Sequence, residues 1–394
     1  MSAMLTLEEA QRALLALAPK RTSTSLELTP EFPKRFLAED VCAQRTQPSA
    51  NLSAMDGYAV TPGSGPWQKV GESRAGTPFV GELCPGECTR ISTGAHVPNG
   101  ANRILIQENA VVDGTLVSAT ENVAQGRHIR KAGFDFSEGD IVLRKGTEVT
   151  PGVLALAISS GQCSLPVTEP PTVAVLDSGD ELVPLGQPAG LNQIPASNGA
   201  MIAAMLNPYV GSILPLGPVP DDRNKLAHAL RQSESSDVLI TTGGASVGDH
   251  DLIQQALKDW GADLAFWKVA IKPGKPLMVA TRGKQVIVGL PGNPVSSFVT
   301  CFLFVLPLIR ASMGDPSPLP KRSVSAAGEA LPAVGKRHEF LRGQSDGNTV
   351  GLMTSQDSSG LAALANADCL IDRPARAGEV REGDLVSVYN LQNG

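Results

Sequence analysis

Aromatic side chains make up only 4% of the 394 residues, so the cores must be filled mainly by aliphatic packing. Cysteine is scarce as well, with six residues scattered at Cys42, Cys84, Cys88, Cys163, Cys301 and Cys369. A chain this long needs no disulfide staples, and reduced thiols in a cytoplasmic protein are the simplest reading. Cys84 and Cys88 have C-x3-C spacing, but no second pair or nearby His completes the four ligands of a zinc site. Positive charge is in deficit: 33 Lys and Arg face 39 Asp and Glu, a net charge of −6. That argues against a general nucleic-acid surface, which must neutralise phosphates, while leaving room for a local cationic pocket. Long apolar runs are missing too. The longest, 295–309, contains Ser296, Ser297, Thr300 and Pro307 and falls short of the ~20 residues of a membrane span. It reads as a buried helix. Residues 1–18 carry Glu8 and Glu9 and lack the basic-then-apolar pattern of a targeting peptide. No HExxH, GxSxG or Cys–His pattern occurs, and the five histidines do not cluster by spacing, so protease and esterase readings lack support.

What is plentiful is glycine (40) and proline (30), which implies many tight turns. At roughly 100–200 residues per domain, two to four domains are expected. Thr6 with Glu9 forms a capping box, and Leu7, Ala10, Leu14 and Leu17 then share one helical face. Residues 43–140 hold short apolar runs among turn residues and read as β-rich. A second helix starts at Thr150-Pro151 and stops at Gly161. It is expected to pack beside the first, which makes 1–42 with 141–170 one domain discontinuous in sequence. Pro170-Pro171 reads as a linker.

From 171 to 315 strand and helix alternate. Strands are expected at 172–176, 211–216, 238–241 and 286–290, with helices at 198–206, after Asp221 or Asp222, at 251–260 and over the apolar run. This pattern predicts a parallel sheet covered by helices on both faces, with ligands bound outside the carboxyl ends of its strands. The prolines of 315–320 form a second linker, and 316–394 reads as a small β-barrel. The expected fold class is therefore α/β multidomain: a three-layer α/β/α domain, a β-rich domain, a helical N-terminal domain and a C-terminal barrel.

Thr242-Gly243-Gly244-Ala245-Ser246 follows a strand but lacks P-loop spacing, which disfavours ATP hydrolysis of that type. Its glycines fit a tight turn as well as a close backbone approach to an anion. Lys268, Lys272 and Lys275 flank Pro273 and Pro276, which preclude a regular helix and place at least the last two lysines on a stiff loop. Such a loop fits plain solvation or a phosphate or oxyanion pocket, and a cationic cluster beside Gly-rich strand ends in an acidic protein favours the second. Asp180, Glu181, Asp221, Asp249 and Asp251 fall at the same strand ends, where carboxylates beside phosphates suggest a bridging Mg²⁺. Asp221 and Asp222 serve equally well as helix caps.

Together these motifs become recognisable. Ser53-Ala54-Met55-Asp56-Gly57-Tyr58-Ala59-Val60 closely resembles the N-terminal signature of the MoeA family of molybdopterin molybdenumtransferases, which includes the C-terminal domain of gephyrin. Further matches follow in family order: Ser92-Thr93-Gly94-Ala95, Gly179-Asp180-Glu181-Leu182, Thr242-Gly243-Gly244 with Ser246-Val247-Gly248, Ile271-Lys272-Pro273-Gly274-Lys275-Pro276, and Gly289-Leu290-Pro291-Gly292-Asn293-Pro294-Val295-Ser296. They span nearly the whole chain.

The resemblance implies an elongated homodimer of four-domain subunits that inserts molybdate into adenylylated molybdopterin with Mg²⁺, releasing AMP and molybdenum cofactor. It implies catalytic roles for Asp56 and Thr93, reaching the partner subunit's pocket, and for Glu181, Asp221, Lys272 and Lys275. Gly243, Gly244, Ser246, Lys268, Pro291, Gly292, Asn293, Pro294, Asp135 and Ser358 would bind the cofactor precursor, and Asp251 and Asp221 the metal. The molybdopterin adenylyltransferase and recipient molybdoenzymes are the implied protein partners, with no nucleic acid and no membrane. Three positions depart from the family pattern: Asp177-Ser178-Gly179 stands where Ser-Thr-Gly is usual, Ala245 where Val is common, and Asp368 where Asn is usual. A gephyrin-like scaffold is the non-catalytic alternative, but no appended partner-binding domain is evident. A molybdopterin adenylyltransferase is the second alternative, and that shorter family resembles only 172–310.

Overall fold

The structure, a computed structural model, describes residues 4–243 and 252–391. Helix α1 (Leu7–Leu15) begins as its sequence predicts: Thr6 accepts from the Glu9 N–H and Glu9 accepts from the Thr6 N–H. Its neighbour is not the predicted one. Leu7, Ala10 and Leu14 bury against Phe302, Leu303 and Leu306, in the largest core of the molecule. Helix α2 (Pro151–Ser159), capped by Thr150, instead puts Ala157 in a separate core with Leu37, Val41, Leu143 and Leu165. The wide apolar stripe of the helical run after Pro294 gives α1 a better seat than α2, which carries little polar contrast between its faces. Strand Ser23–Glu27 pairs antiparallel with Ser164–Thr168, and Val41–Cys42 with Ile141–Leu143.

Residues 57–119 contain a mixed six-stranded sheet in the order 103–106, 57–60, 87–91, 67–73, 116–119, 110–113. Its strand Gly57–Val60 is buried along its whole length, which fixes Asp56 at the strand's mouth. Gly57 is obligatory here because a Cβ would lie 2.0 Å from the Leu105 carbonyl oxygen.

The α/β unit has a six-stranded sheet ordered 212–219, 172–178, 238–242, 285–290, 278–282, 263–267. The first four strands are parallel; 278–282 runs opposite to them and pairs antiparallel with both 285–290 and 263–267, so 263–267 again runs in the common direction. The all-parallel expectation is thus corrected: after Trp267 the chain returns as the single reversed strand 278–282, which needs no crossover helix to reach either neighbour. Along Thr172–Ser178 the side chains alternate as a twofold period demands. Val173 and Val175 enter the core shared with α3 (Ser197–Leu206), while Ala174 and Leu176 enter the opposite core with α4 (Arg223–Gln232) and α5 (Leu252–Asp259). Asp222 is the cap of α4, accepting from the Lys225 N–H at 2.9 Å, so Asp221 is left for other work. The apolar run folds as α6 (Pro294–Thr300), a π-helical turn at Cys301–Val305 and α7 (Leu306–Ser312). Among the described residues only this stretch is long and apolar enough to cross a membrane, and 83% of it is buried inside the molecule. It is a core helix.

The C-terminal strands 338–345, 349–352, 322–327, 385–390 and 369–373 pair in that order, and the last pairs back onto the first, closing a five-stranded barrel. A sixth, two-residue strand, Ile271–Lys272, adds in parallel to His338–Glu339 on the rim. Lys272 therefore lies on a strand, where the flanking prolines suggest only a loop.

Candidate functional site

The carboxyl ends of strands 172–178, 238–242 and 285–290 open into a cavity of about 630 Å³. Two of the strand ends pass each other closely because glycine allows it. A Cβ on Gly243, at φ 84°, would lie 2.7 Å from the Ser178 carbonyl oxygen. On the wall, Asp177, Ser178, Glu181, Thr242 and Gly243 come from strand ends, Ser197 and Asn198 from the start of α3, and Gly292, Asn293 and Pro294 from the loop before α6. The Asn198 amide donates to the Gly292 carbonyl at 2.7 Å and ties the two helix starts together.

The barrel reaches the same cavity. The Asn293 amide donates to Ser358 Oγ at 2.9 Å, and the Val295 N–H donates to the Ser358 carbonyl at 3.1 Å. Arg342, 2% exposed, holds the loop that carries Ser358 by donating to the carbonyls of Ser355 (2.8 Å) and Asp357 (3.0 Å). Ser359 and Leu361 bring that loop and the segment after it onto the wall.

The cavity is acidic. Asp177 is 8% exposed, and burial pushes its carboxyl above the ordinary carboxylate range, against the Thr242 hydroxyl and Gly199 N–H that favour its charge. Asp180 and Asp221 are not on the cavity wall; beside Glu181, Asp221 is pushed up first by burial and then by Asp180 and Glu181. Its own N–H donates to Asp180 Oδ1 at 3.0 Å. No lysine lines the described wall, so the expected convergence of acids and lysines is divided in the fold. Lys268 takes a left-handed backbone (φ 73°) with its ammonium 4.0 Å from the Trp267 ring centroid. Lys272 pairs with Glu339 of the barrel at 3.2 Å, and Lys275 is exposed on the loop beyond it.

Asp56 and Thr93 meet each other far along the chain: Asp56 Oδ1 accepts from the Thr93 N–H at 2.7 Å and the Thr93 hydroxyl at 3.1 Å. These bonds, with the Arg90 charge, hold the Asp56 carboxyl below the usual range. Asp135 is exposed on the turn after Ile129–Arg130, which pairs with Leu52–Ser53 just before Asp56. None of the three lines the cavity of its own chain. Pro291 shapes the loop through its carbonyl, which accepts from the Ser297 hydroxyl. Gly244, Ser246 and Asp251 lie outside the described residues, as do Asp249 and His250. Sequence reasoning did not single out Asn198, Ser359 or Leu361. The signal for Asn198 was a polar residue opening a helix in a strand–helix unit, while the other two reach the wall only through barrel closure.

Models of known families match the chain in three successive pieces. Residues 5–161 match the MoeA N-terminal region (domains I and II), 174–311 a probable molybdopterin-binding domain, and 325–391 the MoeA C-terminal region (domain IV). A molybdopterin molybdenumtransferase from Haemophilus influenzae is 34% identical, over 98% of each chain. The chain belongs to the MoeA family. A second molybdopterin molybdenumtransferase, from Bacillus subtilis, is 32% identical over 91% of this chain and 87% of its own. A solved MoeA protein of molybdopterin biosynthesis from Pyrococcus horikoshii superposes with a TM-score of 0.86 at 24% identity, covering 98% of this chain and 100% of that one. The MoeA fold accounts for the closed barrel and for the α/β unit whose strand ends form the cavity.

Proposed function

We propose that this MoeA protein is a molybdopterin molybdenumtransferase that inserts molybdate into adenylylated molybdopterin and releases AMP. The observation that carries the reading is the end-to-end match to a curated molybdenumtransferase at 34% identity, with the cavity at the strand ends of the molybdopterin-binding region. Insertion requires a tetrahedral anion, a dithiolate and a phosphoanhydride to be held together. Their mutual repulsion makes fixed cations and prepaid orientation the main sources of rate. Lys268, Lys272 and Lys275 are the cations for phosphate or molybdate, and Glu339 orients Lys272 until the anion arrives. Gly243, Gly292, Asn293 and Pro294 shape the cavity for the pterin side, with Ser358 braced through Asn293.

The donor chemistry fits Mg²⁺ in part. Asp180, Glu181 and Asp221 offer hard oxygens, and the Asp221 carboxyl, raised by burial and then by Asp180 and Glu181, is one whose charged form a divalent cation would favour. Among the described residues they make no three-ligand group, so Asp221 would supply one ligand and substrate phosphates others, as Mg²⁺ prefers. When bound, the ion would offset phosphate charge.

We infer a homodimer in which Asp56, Thr93 and Asp135 of one subunit complete the cavity of the other. Their exposure, and their absence from the cavity wall of their own chain, support this. The division into 1–42 with 141–170, 43–140, 171–315 and 316–394 is part of the same proposal, supported by the strand pairings that join the two outer pieces of the first unit. The free cysteines support a reducing, cytoplasmic setting.

Incubation with adenylylated molybdopterin, Mg²⁺ and molybdate tests the function. Molybdate-dependent AMP release, with reconstitution of a cofactor-free molybdoenzyme, is expected. Tight binding without turnover would overturn it.

A further inference from the structure

Asp177 stands at the last inward-facing position of its strand, on the face covered by α3. Its Oδ1 accepts from the Thr242 hydroxyl on the neighbouring strand, and its Oδ2 from the Gly199 N–H, in the first turn of α3, at 3.1 Å. Gly199 makes room for it: a Cβ there would lie 2.3 Å from Asp177 Oδ2. The first turn of a ten-residue helix offers unpaired N–H groups and a positive dipole end, a natural seat for a phosphate. Here the chain's own carboxylate takes that seat, and it also consumes the hydroxyl that would otherwise face a ligand. Both oxygens keep a lone pair. The wall around them carries Glu181 and no lysine.

We propose that Asp177 is a specificity-determining residue of the cavity: it closes this wall to phosphate and presents acceptors to the N–H-bearing edge of a planar heterocycle. The inference rests on the molybdopterin reading above and deepens it, because it fixes the direction of the bound molecule. The amino-pyrimidinone edge of the pterin points at Asp177, and the phosphate-bearing end points away from it.

The test measures binding of two probes, 2-amino-4-oxopteridine and inorganic phosphate, to the full chain and its variants. Asp177→Asn keeps the shape and removes the charge; Asp177→Ser clears the seat; thermal melts establish that each is folded. Loss of one charge-assisted contact is expected to weaken pteridine binding about 10-fold or more in both variants. Phosphate binding is expected to strengthen in Asp177→Ser alone. Unchanged pteridine affinity in the folded variants, or no pteridine binding by the parent chain, overturns the proposal. Molybdate-dependent AMP release by the parent chain is read separately. Its failure alongside Asp177-dependent pteridine binding would sink the transferase reading and leave this one standing.

Discussion

Lys272 sits where two distant parts of the chain pair, with Glu339 3.2 Å from its ammonium and more than half of its own side chain exposed. A pair this open contributes little to stability, so under the proposed function its effect belongs to chemistry. Lys272→Ala is expected to lower turnover about 10²-fold or more, the scale for losing one preorganised charged donor, with the melting temperature nearly unchanged. AMP release and a thermal melt on the same sample check this, and near-parental turnover would remove the lysine from the site. Asp221 poses the opposite case. Its carboxyl is raised in the folded state by burial and by Asp180 and Glu181, so the folded chain binds that proton more tightly than the unfolded one. Stability is then present below the unfolded carboxylate value and is lost as pH climbs through the raised one. Asp221→Asn should accordingly raise the melting temperature near neutral pH. It should change little at about pH 3, where the carboxyl is protonated in both states. Melts across that range decide it, and an equal shift at both ends would mean that the carboxylate's charge is not the cause.

Elements whose signals are local could be read from the sequence. The capping box of α1, the Thr150-Pro151 start of α2 and the apolar runs of the four parallel strands are each written in a few consecutive residues, and the elements form where expected. The reversal at 278–282, between 285–290 and 263–267, was hidden because its partner strands, not its own pattern, set its direction. Ile271–Lys272 was hidden for a stronger reason: its partner strand begins at His338, and no local pattern reports a contact so distant. The same limit applies to the site. The Pro291–Pro294 loop and Gly243 carry their own backbone chemistry, whereas Ser359 and Leu361 arrive through a barrel loop pinned by Arg342. That pin makes a prediction. Arg342→Ala would leave the carbonyls of Ser355 and Asp357 without their donor, at a cost of about 1–3 kcal/mol. Denaturant unfolding should show the loss, and activity should fall beyond what the remaining folded fraction explains. A variant with parental stability would mean that other donors already hold the loop.

At the scale of the whole molecule, the two halves of the candidate machinery do not meet within one chain. Asp56 and Thr93 are joined to each other on the mixed sheet, Glu181 lines the cavity of the α/β unit, and none of the first pair reaches that wall. A symmetric dimer resolves this if each cavity is completed by its partner, because a twofold axis then builds two equivalent sites from one kind of chain. The arrangement has an arithmetic consequence. Asp56→Ala and Glu181→Ala chains should each form inactive homodimers, since every site carries one defect. In a mixed dimer one site collects both defects and the other has none. Random assortment makes half the dimers mixed, with one intact site in two, so co-expression should restore about a quarter of the parental rate. Mixing after folding should restore the rate only as fast as subunits exchange. No recovery on co-expression, with mixed dimers shown present by differently tagged chains, would place Asp56 and Glu181 of one subunit in the same site, whereas an active Asp56→Ala homodimer would put Asp56 outside the reaction.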